Sequence, residues 1–153
     1  MKSDAFKTFS LLIERYPIEV FTFEILIGVL MEPTLKMTVL LFAGVVAAAV
    51  FSEGLKMFFK GKRPEEALKR SFYKRTFRLN KRHFPSSHSA VAMFFPTVFF
   101  GNVLFIPFLL FAIIVMYSRL YIKSHYPRDI IAGAAIGVLI GMFFMQLAQN
   151  LKI

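Results

Sequence analysis

The sequence predicts an all-α protein, a polytopic membrane helical bundle of about five transmembrane helices plus an N-terminal amphipathic helix. Three observations carry that prediction. Hydrophobic residues make up 57% of the 153 residues, and the mean hydropathy of +0.62 lies outside the range of ordinary soluble domains. Charge-free runs approach or exceed the about 20 residues that cross a bilayer. The net charge of +10 is concentrated in one segment: between Lys56 and Arg82, eleven Lys and Arg stand against Glu65 and Glu66, a local balance of +9. Such a segment between apolar runs points to an anionic partner.

Taken in order, residues 1–16 place Phe6, Phe9, Ile13 and Tyr16 on one side of a helix, which reads as an interfacial amphipathic helix. No small-residue cleavage site follows a compact apolar core, so no removable signal peptide is expected. Residues 17–32 form a short first span, begun by Pro17 and carrying Glu19, Glu24 and Glu32. Interface placement is the simplest account of Glu19 and Glu24, with a functional role the rival reading for charges at membrane depth. Met37 to Ser52 is uncharged and continues to about Phe59 as a second span. The loop 60–84 mixes Phe72, Tyr73, Phe77 and Phe84 with its charges and is expected to lie against the membrane surface. Ser89 to Ser118 is too long for one crossing and is broken by Gly101-Asn102, giving spans near 86–101 and 103–120. The fifth span, 130–149, carries Gly133, Gly137 and Gly141 at four-residue intervals, a stripe suited to close packing within the chain. The chain is thus one domain, with an interfacial helix and first span over 1–36 and a core over 37–153.

Counting crossings from span two brings Lys56, Ser86 and Ser118 to the same membrane face. Three polar stretches therefore converge: Lys56 to Pro64, Pro85-Ser86-Ser87-His88, and Ser118 to Asp129. In the last, His125 and Asp129 at i and i+4 would lie one above the other on a helix, the carboxylate holding one imidazole nitrogen. There is no cysteine, which excludes disulfides, thiolate catalysis and Cys-ligated metal.

The pattern K-x6-R-P, then P-S-x-H, then S-R-x5-H-x3-D resembles the three-part signature of the type 2 phosphatidic acid phosphatase family, which includes the vanadium haloperoxidases. The resemblance covers residues 56–129 by motif and reaches 150 by hydropathy. It implies a metal-independent hydrolase of lipid phosphates without cofactor, with 37–153 as the catalytic core. Lys56, Arg63 and Arg119 would bind the phosphate, helped by Ser86 and Ser87; His125, oriented by Asp129, would form a phosphohistidine; and His88 would act as acid and then base. The family most often has glycine where this chain has Ser87. Ser118 is expected to play a supporting role.

Other readings stand beside these. His83 is read as a hydrated side chain. His88 and His125 could be a structural pair, or with Asp129 a metal site, although the neighbouring cations would repel a metal. Lys69, Arg70, Lys74, Arg75, Arg78, Lys81 and Arg82 could attract anionic lipid headgroups or grip an acidic part of the substrate. Nucleic acid is not an expected partner of a segment flanked by membrane spans. Within the family, the compact chain and its basic loop look most like a bacterial lipid A 1-phosphatase, placed in the inner membrane with a periplasmic site. Undecaprenyl diphosphate and phosphatidylglycerolphosphate are the alternative substrates, and a catalytically silent lipid-binding protein is the alternative class.

Overall fold

The computed structural model describes residues 5–59 and 84–150. Among them are six helices and no strand: α1 (Ala5–Arg15), α2 (Pro17–Met31), α3 (Leu35–Phe58), α4 (Ser87–Val98), α5 (Phe105–Tyr121) and α6 (Pro127–Asn150). Helices α3 and α6, 24 residues each, are long and apolar enough to cross a bilayer. At 15 and 12 residues, α2 and α4 fall short of the usual crossing length, and α5 has 17. Length and composition thus identify two spans where the sequence suggests five. The outer surface is nevertheless apolar well beyond these two helices: Ile18, Phe23 and Leu26 of α2 and Ile106, Leu110 and Ile113 of α5 are all exposed. A surface of that kind suits a hydrocarbon environment.

Local chemistry sets the helix boundaries. Pro17 opens α2, where its missing N–H costs nothing. Thr34 caps α3, its hydroxyl accepting from the Met37 amide at 3.1 Å. Ser86 caps α4 in the same way, accepting from the Ser89 amide at 3.4 Å and the Ser89 hydroxyl at 3.0 Å. Between α4 and α5 the chain turns through Gly101 at φ 83°, a conformation glycine adopts without a Cβ penalty.

Helices α2 to α6 run alternately between two ends of the bundle. At one end the Asn102 amide donates to Glu32 at 3.3 Å, joining the α4–α5 turn to the end of α2. At the other lie Lys56, Ser86, His88, Arg119 and His125. The most extensive helix pair is α4 with α6. Its seam is the glycine stripe: a methyl group at Gly133 would run into the Ser86 carbonyl, one at Gly137 into the Ala90 carbonyl, and one at Gly141 into the Thr97 side chain. The stripe is therefore used for packing inside the chain. Phe94, Phe95, Phe108 and Phe99 fill the core beside it, with ring centroids 5.2–5.6 Å apart in successive pairs.

Glu24 is 3% exposed on the inward stripe of α2 with Phe21 and Gly28, and neither carboxylate oxygen has a hydrogen-bond partner among the described residues.

If the glycine seam sets the α4–α6 spacing, Gly137→Val should cost about 1–3 kcal/mol through overpacking and lower the thermal unfolding midpoint in detergent. A methyl group at Gly54 meets nothing within 4 Å. Gly54→Ala should therefore hold or slightly raise the midpoint, and equal midpoints for the two variants would contradict the seam.

Candidate active site

Two local motifs bracket His125. Helix α5 ends in a Schellman turn: the Ser124 amide donates to the Arg119 carbonyl at 3.0 Å and the Lys123 amide to Leu120 at 2.9 Å. Lys123 takes the left-handed position at φ 53°. The Ser124 hydroxyl adds a second bond to the Arg119 carbonyl at 3.2 Å. Helix α6 then begins with a capping interaction, in which the Asp129 carboxylate accepts from the Tyr126 amide at 2.9 Å while the Asp129 amide donates back to the Tyr126 carbonyl at 3.0 Å. His125 sits between the two.

This changes the reason for the His125–Asp129 pairing. His125 precedes α6 and does not lie on it, so the two residues are not stacked by helical periodicity. They meet because the cap turns Asp129 back toward the loop, leaving His125 Nδ1 3.7 Å from Asp129 Oδ2, an ion-pair distance and not a hydrogen bond. Both are buried, Asp129 completely. Arg128 Nε also approaches Asp129 Oδ1, at 3.6 Å.

The second motif is joined to the third through the backbone. The Ser86 amide, just before α4, donates to the Asp129 carbonyl at 2.9 Å. The same end of α4 carries Ser87 and His88. Lys56, from the last turn of α3, is only 5% exposed and donates to the Ser87 hydroxyl at 2.7 Å. Lys56, Ser86, Ser87, His125 and Asp129 are therefore linked across three helices. His88 lies on the groove side of this end, with the Phe21 ring 6.1 Å from its own.

Glu53 was not legible as a site residue. One turn before Lys56, it forms an ion pair with that ammonium and accepts from the Ser87 hydroxyl at 2.7 Å. The available signal was its i,i+3 spacing from Lys56, but nothing local reveals that Ser87 completes the cluster. The serine standing at the position of the family's usual glycine thus bridges a carboxylate and an ammonium.

Arg119 takes an unexpected position. It is 1% exposed; its Nε donates to the Ser118 hydroxyl at 3.1 Å and its Nη2 to the Ser10 carbonyl of α1 at 2.7 Å. Ser118 in turn donates to the Val115 carbonyl at 2.7 Å, giving it the supporting role expected. Arg63 and His83, and Lys69, Arg70, Lys74, Arg75, Arg78, Lys81 and Arg82 of the basic loop, lie outside the described residues. Among the described residues no group of three or more His, Cys, Asp or Glu is arranged to hold a metal.

A groove of about 370 Å³ opens beside this end between α2 and α3. Its walls include Phe21, Ile25, Phe42, Val45 and Val46, and its polar end is formed by Glu53, Ser87 and His88.

Residues 37–153 match the PAP2 superfamily. The chain belongs to that superfamily. Among curated proteins, a PAP2 chain of this kind is similar to the lipid A 4'-phosphatase of Bacteroides thetaiotaomicron, 40% identical over 72 residues, covering 44% of this chain and 32% of that protein. It is also similar to the undecaprenyl-diphosphatase BcrC of Bacillus subtilis, 27% identical over 71 residues, covering 45% of this chain and 37% of that one. The matched stretch thus spans about a third of each relative. No solved structure matches. The α1 and α2 helices lie outside the superfamily match, so their contacts with Arg119 and His88 belong to this chain's own N-terminal segment.

Ser87→Gly should leave the Lys56–Glu53 ion pair in place and lower the thermal midpoint only slightly, glycine costing at most about 1 kcal/mol in a first helical turn. Glu53→Ala removes the carboxylate beside a buried ammonium and should lower it more. The reverse order would show that the hydroxyl, and not the carboxylate, holds Lys56.

Proposed function

We propose that the chain is a membrane lipid phosphatase that cleaves a phosphate monoester or terminal phosphate through a phosphohistidine, without metal or cofactor. The observation that carries the lipid reading is the groove: an apolar channel among helices, ending at His88 and Ser87 beside a buried lysine, suits a hydrocarbon chain whose phosphate stops at the polar end.

In this reading Lys56, Arg63 and Arg119 hold the phosphate oxygens with charge-assisted hydrogen bonds, and Ser86 and Ser87 add hydroxyl and helix-start contacts. Asp129 faces Nδ1 of His125, so Nε2 attacks phosphorus as the bond to the leaving oxygen breaks. His88 donates its proton to that oxygen. It then takes a proton from water, which attacks the phosphohistidine, releases inorganic phosphate and restores His125. The protein's contribution is mainly position and charge, which phosphoryl transfer rewards.

A glycolipid phosphate is the substrate we favour. The supporting relative is named for the 4'-position of lipid A, so it lends nothing to the 1-position that the sequence alone suggests. Undecaprenyl diphosphate is the second reading, favoured by the Bacillus relative's name. The basic loop, Lys69, Arg70, Lys74, Arg75, Arg78, Lys81 and Arg82, would meet anionic headgroups or the charged part of such a lipid. The proposed location is a bacterial inner membrane with the site on the periplasmic face.

Detergent-purified protein incubated in chelator with lipid A, undecaprenyl diphosphate and phosphatidylglycerolphosphate should release inorganic phosphate, fastest from lipid A. His125→Ala should abolish release, and a variant as active as the parent, or strict metal dependence, would sink the mechanism. The chain has no native cysteine, so Asn102→Cys, at the far end of the bundle, reports orientation. In intact cells it should resist a membrane-impermeant thiol reagent if the opposite end is periplasmic, and labelling would reverse the assignment.

A further inference from the structure

We propose that α1 is part of the phosphate-binding site, with the Ser10 backbone carbonyl acting as a positioning group that holds the Arg119 guanidinium. This rests on the reading of Arg119 as a phosphate ligand.

The geometry favours a role beyond anchoring. Arg119 is held by two neutral acceptors, the Ser118 hydroxyl on Nε and the Ser10 carbonyl on Nη2. Its charge is therefore oriented without a directly bonded carboxylate, whereas Lys56 is paired with Glu53. A planar guanidinium held at two nitrogens has lost most of its rotational freedom before an anion arrives.

The helix is seated firmly enough to do this. Ser10 and Ile13, on its inner side, are fully buried. The Phe6 ring packs 5.5 Å from Tyr117 and 5.1 Å from Tyr121, flanking Arg119 by about half a turn on either side along α5. The Ser10 hydroxyl donates to the Phe6 carbonyl at 2.8 Å, so it is satisfied within α1 and the Ser10 carbonyl serves α5. On the other side of α1, Phe9, Leu11 and Leu12 are exposed apolar residues. An interfacial helix would bury such residues at a lipid surface, so the helix that positions the arginine also touches the bilayer.

The test measures binding of orthovanadate, a phosphate mimic, by calorimetry on the purified full chain, and so does not depend on turnover. The parent protein should bind it. Ser10→Leu places a large side chain at a fully buried contact and lifts α1 from α5; affinity should fall at least tenfold. The outward-facing Leu12→Ala should leave it unchanged. In an Arg119→Lys background, Ser10→Leu should add less than a twofold further loss, because the group through which Ser10 acts is gone. An undiminished affinity in Ser10→Leu, or an equal loss with and without Arg119, would overturn the inference, the second outcome making α1 merely structural. If Ser10→Leu does not fold, as judged by its thermal transition, Phe6→Ala replaces it in the same cycle with the same two criteria. Vanadate binding with no phosphate released from any lipid would reject the lipid phosphatase reading while leaving α1 in the anion site.

Discussion

The close approach of α4 and α6 is the constraint on which the rest of the site depends. Three glycines on α6 let the backbone of α4 come into direct contact, and the Ser86 amide then reaches the Asp129 carbonyl. With a side chain at those glycines the helices would stand apart, and Ser86, Ser87 and His88 would be carried away from His125 and Asp129. Small residues, which contribute little hydrophobic energy of their own, thus decide whether two polar motifs some forty residues apart form one site.

Around that seam the polar groups are held by capping interactions that helices require in any case. The Schellman turn at the end of α5 satisfies its last carbonyls; before α6 the Asp129 carboxylate accepts from the Tyr126 amide, and the Tyr126 carbonyl accepts from the Asp129 and Ile130 amides. Because they occur back to back, the single residue between them has little choice of direction. His125 is placed by the ends of its neighbours and not by a scaffold of its own. The Ser86 cap does the same for His88 at the start of α4, so both histidines stand next to a helix terminus, where backbone amides can also meet an anion.

The Lys56–Glu53–Ser87 cluster and the Arg119–Ser10 contact are two solutions to one problem, a cation kept almost entirely from water. One uses an adjacent carboxylate, which is itself partly exposed at the groove. The other uses neutral oxygens, one of them from a helix outside the superfamily match. The lysine thus has a carboxylate beside it, and the arginine is bonded to a hydroxyl and a backbone carbonyl. The arginine contact also ties the N-terminal helix to α5 of the core that follows it in sequence.

Much of this was legible in the sequence. Charge-free runs, Gly101-Asn102 and Pro17 marked helices and turns close to their observed ends, because apolar length and backbone breakers are local properties. The spacing of Lys56, Ser86, His88, Arg119, His125 and Asp129 marked them as candidates, and the sequence expectation that they lie at one end agrees with where the helices carry them. Tertiary structure alone decided the rest. His125 meets Asp129 through a cap and not a helical face, which depends on where α6 begins. Glu24 is buried because α2 turns its stripe inward, Glu53 joins the site because α4 brings Ser87 to it, and Ser10 meets Arg119 across a hundred residues of chain. Each of these is a contact between elements remote in sequence, and residue spacing carries no record of how helices rotate and approach once they pack.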